Sequence, residues 1–101
     1  MSSHARADVL VFGGEALISV YGELDLFSVD VLRDALAEVP EASRVVIDLQ
    51  DVDFVDCSAL RYIEHAAVRF AADSRKLRVE HASGLVHRVM ELLKLDDLRV
   101  R

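Results

Sequence analysis

The run Val45-Val46-Ile47-Asp48-Leu49 constrains the fold of this chain more than any other feature of the sequence. It is almost unbroken in apolar residues and contains neither glycine nor proline, a pattern typical of a strand that is buried on both faces. Strands of that kind belong to parallel sheets whose faces are covered by helices. The run therefore favours an α/β fold.

Helical periodicity flanks this run on both sides. Before it, a helix is predicted between Ser28, whose hydroxyl suits an N-cap, and Pro40, which follows the helix end. Its apolar stripe consists of Val29, Leu32, Leu36 and Val39. A second helix is predicted from Leu60, Ile63, Ala67 and Phe70, and a third from Leu85, Val89, Leu92 and Leu93.

The remaining apolar segments have the pattern of strands. Gly13-Gly14 separates the runs 9–12 and 16–21, and paired glycines suit the positive φ angles of a hairpin turn. Gly22 is expected to end the second strand. Residues 77–81 alternate with period two, as a half-buried strand does.

The order of these elements predicts a single α/β domain over residues 1–101. It has a mixed, mostly parallel sheet of four to five strands, with helices packed on it. The fifth strand would be a short edge strand at 98–100. Residues 1–7 are expected to form a flexible N-terminal tail.

Two connections are expected to open at the same edge of this sheet. The second and third strands should run parallel through a right-handed crossover, so the segments that follow them share the carboxyl edge. Asp25 lies in the first connection. The second begins with a predicted loop at 51–56, and Asp56, Cys57 and Ser58 lie at its end. Partners of open α/β sheets meet the protein beyond this edge. Two carboxylates and a helix-starting serine are therefore expected to converge there.

Two interpretations of Ser58 stand side by side. A helix N-terminus offers free N–H groups and a partial positive charge, so it tolerates a phosphoserine that adds about −1.5 to −2 charge. Such a charge beside Asp25 and Asp56 would change the surface that a partner meets. The simpler interpretation makes Ser58 and Asp56 ordinary capping residues.

Composition excludes several function classes. The formal net charge is −6, which argues against a nucleic-acid partner and against an anionic membrane, and favours a protein partner with a basic or mixed surface. The one cysteine, Cys57, allows no intrachain disulfide. The sequence shows no signal peptide and no membrane span, so a cytoplasmic location is expected.

Catalysis and metal binding are not expected, and neither is a cofactor. A nucleophilic Cys57 or Ser58 needs a base within hydrogen-bond reach, and His65 lies about two turns further along the same helix. The four histidines (His4, His65, His81 and His87) have no metal-ligand spacing. The acidic residues Asp48, Asp51, Asp53 and Asp56 match no calcium loop and suit a solvated segment.

Three segments resemble the STAS family of bacterial anti-sigma factor antagonists. The first is the strand 45–49 with the following residues 52–60, VDFVDCSAL. The second is 22–25, GELD, which resembles the start of that family's first helix, and the third is 84–95, which resembles its last helix. The resemblance covers nearly the whole chain in register.

This resemblance implies a partner-switching function. An unphosphorylated antagonist binds an anti-sigma factor that is also a serine kinase, and sigma factor is released. Phosphorylation of a serine at the start of the second helix breaks the complex, and a phosphatase restores it. By motif, that serine is Ser58, with acidic partners Asp56 and Asp25. We expect the partner to contact Asp25, Asp56, Cys57, Ser58, Ala59, Arg61 and Tyr62.

Four residues depart from the family pattern. Cys57 and Ala59 stand where the family often has serine and glycine, and Arg61 and Tyr62 are bulkier than usual. These departures leave an alternative open, in which the domain is a non-switching STAS subunit of a lipid-transport or stress-sensing complex.

Overall fold

Strands and helices alternate along the chain in the predicted order. The computed structural model describes residues 5–39, 41–92 and 99–100. Within these ranges the chain forms β1 (Arg6–Phe12), β2 (Glu15–Leu24), α1 (Val29–Ala37), β3 (Arg44–Val55), α2 (Cys57–Ala72), β4 (Lys76–Glu80), α3 (Gly84–Leu92) and β5 (Arg99–Val100). Arg6 and Ala7, expected in a flexible tail, lie in β1.

The sheet is mixed and mostly parallel, which confirms the predicted architecture. Its five strands lie in the order β1-β2-β3-β4-β5, with β1 antiparallel to β2 and the other pairs parallel. Gly13 and Gly14 have φ angles of 59° and 79°, the left-handed conformation that the β1–β2 turn requires. The short edge strand is β5; Leu98 lies outside the described residues.

All three helices cover the same face of the sheet. The strand order runs in one direction, and right-handed crossovers then place every helix on one side. The buried core accordingly joins alternate strand residues to helix residues. Its fully buried members include Ile18, Ile47, Val79, Leu32, Ile63 and Met90.

The opposite face of the sheet, called the open face, is only half-buried. It consists of Leu17, Ser19, Val46, Asp48, Arg78 and Glu80, which pair across β2, β3 and β4. The expectation that residues 45–49 are buried on both faces was therefore wrong. Val45, Ile47 and Leu49 face the helices, whereas Val46 and Asp48 do not.

The two central strands extend further than the sequence predicted. β2 continues through Gly22 to Leu24, and β3 continues to Val55, so residues 51–55 are strand and not loop. The β2–β3 register shifts twice, between Ser19 and Tyr21 and between Gly22 and Glu23. Such irregularities break the period-two pattern by which a strand is recognised in a sequence.

The helix stripes are partly as predicted. Leu32, Leu60, Ile63 and Phe70 are buried. In α3, however, Val86 and Met90 are buried while Leu85 and Leu92 are 69% and 76% exposed. The apolar residues of α3 are distributed around the whole helix, so its sequence does not specify which of its sides faces the sheet. Pro40 and Leu93 lie outside the described residues.

Candidate functional site

Direct hydrogen bonds join the ends of β2 and β3 and the segments that follow them. The backbone N–H of Asp56 donates to the carbonyl oxygen of Leu24 at 3.0 Å. The backbone N–H of Leu26 donates to Oδ2 of Asp56 at 3.2 Å. The predicted convergence at the carboxyl edge is thus present, and it rests on contacts between residues about thirty positions apart.

Asp56 is the N-cap of α2. Its backbone is extended, with φ −91° and ψ 172°, and its Oδ1 accepts from the N–H of Ala59 at 2.9 Å. This is the usual N-cap geometry, in which a side-chain oxygen satisfies an N–H of the first helical turn. One carboxylate therefore both caps α2 and, through Oδ2, holds the β2–α1 loop.

Ser58 is consequently free of the capping role. It is the second residue of α2, its side chain is exposed, and its hydroxyl makes no hydrogen bond among residues 5–39, 41–92 and 99–100. The thiol of Cys57 beside it is exposed as well. The first-turn N–H groups and the positive end of the helix dipole lie next to this hydroxyl, where a negative charge is favoured.

The β2–α1 loop is held by hydrogen bonds among its own polar groups. Oδ1 of Asp25 accepts from the N–H groups of Phe27 and Ser28, both at 2.9 Å. The Ser28 hydroxyl donates to the carbonyl oxygen of Glu23 at 2.7 Å and accepts from the N–H of Asp25 at 3.0 Å. Ser28 is 3% exposed. It occupies the N-cap position of α1, but the predicted side-chain cap bond is absent because its hydroxyl is engaged within the loop.

The β2–α1 loop presents apolar side chains to solvent. Leu26 is 63% exposed and Phe27 is 85% exposed. Phe54, which pairs with Glu23 at the end of β3, is 46% exposed. A group of exposed apolar residues rimmed by polar ones is typical of a protein-binding surface.

We call this region the carboxyl-edge surface. It consists of Asp25, Leu26, Phe27, Phe54, Asp56, Cys57 and Ser58. Sequence reasoning missed its three apolar members. A signal was present for two of them, since Leu26 and Phe27 stand between two loop-forming polar residues and outside the helical stripe that follows.

Three other residues were predicted to contact a partner. The side chain of Ala59 is fully buried, so it belongs to the core and is not accessible. Tyr62 is half-buried and packs against that core. Arg61 is exposed, and its Nη1 lies 2.7 Å from Oε1 of Glu64, one turn further along α2. Only Arg61 of these three offers a charged group beside the carboxyl-edge surface.

The carboxyl-edge surface has an acidic character, since it contains the carboxylates of Asp25 and Asp56. Within the described part of the chain, no lysine or arginine forms an ion pair with Asp25 or Asp56. His65 lies seven residues beyond Ser58 on α2, about 10 Å along the helix axis.

Comparison with protein families identifies the fold. A family model described as "Mlab, STAS domain" matches residues 12–100. The chain belongs to the STAS domain family. No match to this STAS domain is found among curated protein sequences. Across the described ranges, no helix is long and apolar enough to cross a membrane.

Solved structures with the same fold include anti-sigma factor antagonists. The unphosphorylated form of the anti-sigma factor antagonist SpoIIAA has a TM-score of 0.80 at 15% identity, covering 93% of this chain and 85% of that one. An anti-sigma factor antagonist from Mycobacterium paratuberculosis has a TM-score of 0.76 at 22% identity, covering 92% and 80%. The Bacillus cell fate determinant SpoIIAA in its phosphorylated form has a TM-score of 0.74 at 15% identity, covering 93% and 88%.

Proposed function

We propose that this STAS domain is an anti-sigma factor antagonist. It binds an anti-sigma factor with serine kinase activity through the carboxyl-edge surface, which releases sigma factor, and phosphorylation of Ser58 ends the binding. The observation that carries the proposal is the exposed hydroxyl of Ser58 in the first turn of α2, which has no hydrogen-bond partner among the described residues because Asp56 supplies the cap. A phosphatase would restore the unmodified form.

Phosphorylation at this position is compatible with the fold. The hydroxyl of Ser58 holds no other group in the described structure, so its modification breaks no hydrogen bond there. The phosphate would lie at the positive end of the α2 dipole, near N–H groups that have no helical partner. The domain itself is therefore expected to stay folded in both states.

The same phosphate would be unfavourable for a docked partner. It adds about −1.5 to −2 charge two residues from Asp56, on the carboxyl-edge surface that also carries the exposed side chains of Phe27 and Phe54. Burying this charge at an interface costs desolvation free energy unless the partner supplies cations. Complex formation is thus sensitive to a modification that leaves the fold unchanged.

Two of the solved relatives support a switch of this kind. The SpoIIAA structures represent an unphosphorylated and a phosphorylated form of one protein, and both superpose on this chain. At 15% identity these structures share only the fold with this chain. The mechanism is therefore proposed here from the residues of this chain.

The experiment compares a serine in the first turn of α2 with a serine just past the other end of that helix. The candidate anti-sigma kinase is titrated with wild type, Ser58→Ala, Ser58→Asp and Ser74→Asp, and phosphosites are mapped by mass spectrometry after incubation with ATP. Ser74 is exposed just past the other end of α2, so its variant adds the same charge far from the carboxyl-edge surface. Ser58→Asp is expected to weaken binding by about tenfold or more, whereas Ser74→Asp binds as wild type does. Ser58→Ala should stay bound in the presence of ATP.

Equal affinity of Ser58→Asp and wild type would contradict the switch. If the complex still formed, the non-switching STAS subunit of a larger assembly would replace the proposal. A second variant, Phe27→Ala, tests the surface independently of phosphorylation. Because Phe27 is 85% exposed, its removal should reduce affinity and leave the unfolding transition unchanged.

A further inference from the structure

Three potential metal ligands meet on the open face of the sheet, away from the carboxyl-edge surface. Asp48 lies on β3 and pairs in register with Glu80, the last residue of β4, and His81 follows directly. Nδ1 of His81 lies 3.2 Å from Oδ1 of Asp48 and 3.6 Å from Oε1 of Glu80. One ligand atom from each residue lies within 4.8 Å of the other two.

We propose that Asp48, Glu80 and His81 form a binding site for a divalent first-row transition metal ion, with Zn²⁺ as the best fit. Zinc bonds to imidazole nitrogen and carboxylate oxygen measure about 2.0–2.2 Å, so the ligand atoms of a tetrahedral site lie about 3.3–3.5 Å apart. The two nitrogen–oxygen distances of 3.2 and 3.6 Å bracket this separation. Small adjustments of the side chains would therefore complete the three-ligand set.

The backbone holds these ligands in place. Asp48 and Glu80 are directly opposite each other on paired strands, which fixes the distance between their Cα atoms. Oδ1 of Asp48 also accepts from the N–H of Gln50 at 2.9 Å, which orients the carboxylate. The side chains of Asp48 and Glu80 are 19% and 32% exposed, so they are partly shielded from water.

The cluster has an uncompensated negative charge that a cation would neutralise. Among the described residues, the only ion-pair partner of either carboxylate is the imidazole of His81. Arg78 lies on the same face, yet it makes no ion pair with them. Two carboxylates beside one imidazole match the donor set of zinc, cobalt or manganese, while calcium and magnesium prefer oxygen ligands alone.

Three protein ligands leave a coordination position open. Structural zinc sites have four protein ligands, whereas sites with three keep a water molecule or bind an external group. The metal would thus lie exposed on the open face, where a residue of a partner could complete its coordination. This site shares no residue with the carboxyl-edge surface. A test of metal binding is therefore independent of the proposed antagonist function.

The test measures metal binding to the untagged full chain by competition with a chromophoric chelator for Zn²⁺. A second measurement follows the visible absorption of bound Co²⁺. All proteins carry Cys57→Ser and His4→Asn, which remove a thiol and an N-terminal imidazole that also bind metals. The protein with only these two substitutions is the parent. Three ligand variants of it are compared with His65→Asn, a control on α2; they are Asp48→Asn, Glu80→Gln and His81→Asn. His81 has a φ of 60°, a conformation that asparagine tolerates, so His81→Asn preserves the backbone.

One ion per chain is expected in the parent, with affinity reduced by about tenfold or more in each of the three ligand variants. The His65→Asn control should bind as the parent does. Absence of one-to-one binding by Zn²⁺ and Co²⁺ would overturn the site and leave His81 as a hydrogen-bond partner of the two carboxylates. Equal affinity in all four variants would overturn it too, since the metal would then lie elsewhere.

Discussion

Two helices of this domain begin with the same residue types, and they use them in opposite ways. At the start of α1, Ser28 is buried and its hydroxyl holds Glu23 and Asp25 together. At the start of α2, Ser58 is exposed and its hydroxyl has no partner among the described residues, because Asp56 caps the helix. The position of the aspartate therefore decides which serine is structural and which is available for modification.

The spacing between aspartate and serine explains this difference. Asp25 precedes Ser28 by three residues, and its Oδ1 accepts hydrogen bonds from the N–H groups of Phe27 and Ser28 within the loop. Asp56 precedes Ser58 by two and is itself the last extended residue before the helix. Ser58 therefore lies within the first turn of α2, where Asp56 already supplies the cap.

The largest effect is expected from a charge at the buried serine. Ser28→Asp should lower the free energy of unfolding by about 3 kcal/mol or more, because it buries a carboxylate next to Oδ1 of Asp25 and removes two hydrogen bonds. Ser28→Ala, which removes only the hydroxyl, should cost about 1–3 kcal/mol. Urea unfolding measures both. A stability of Ser28→Asp equal to wild type would show that the loop does not depend on this hydroxyl.

An intermediate effect is expected at the cap of α2. Asp56→Ala should destabilise the domain by about 1–2 kcal/mol, because the N–H groups of Ala59 and Leu26 both lose their acceptor. Asp56→Asn keeps one side-chain oxygen, which can still cap Ala59, but it places an NH2 donor opposite the N–H of Leu26, so it should recover only the capping part of this loss. Thermal or urea unfolding of the two variants separates capping from charge. Equal losses in both variants would indicate that the negative charge, and not the cap geometry, stabilises the helix start.

The smallest effect is expected at the exposed serine. Ser58→Asp should leave the free energy of unfolding unchanged or raise it by about 0.3–1 kcal/mol, since the new carboxylate lies in the first turn of α2. The same substitution, serine to aspartate, is thus expected to lower the free energy of unfolding strongly at the start of α1 and not at all at the start of α2. A destabilisation of Ser58→Asp comparable to that of Ser28→Asp would remove the distinction, and with it the basis for a modification that spares the fold.

The order of elements was predictable because it depends on neighbours in the sequence. The period of apolar residues distinguishes strand from helix, and the Gly13-Gly14 turn joins β1 to β2. The same local reasoning located Asp56 and Ser58 at the start of α2. The ends of β2 and β3 were not predictable, because the pairing of Glu23 with Phe54 and the register shifts before it depend on the partner strand.

The sequence alone thus determined the fold class, the element order and the position of one serine at a helix start, since periodicity, turn residues and caps act over a few residues. Only the tertiary structure decided which face of the sheet is covered and which serine is buried. It alone exposed Leu26, Phe27 and Phe54, and it brought Asp48 within 3.2 Å of His81. These properties depend on crossovers and strand pairing between segments about thirty residues apart, where no local pattern records which groups meet.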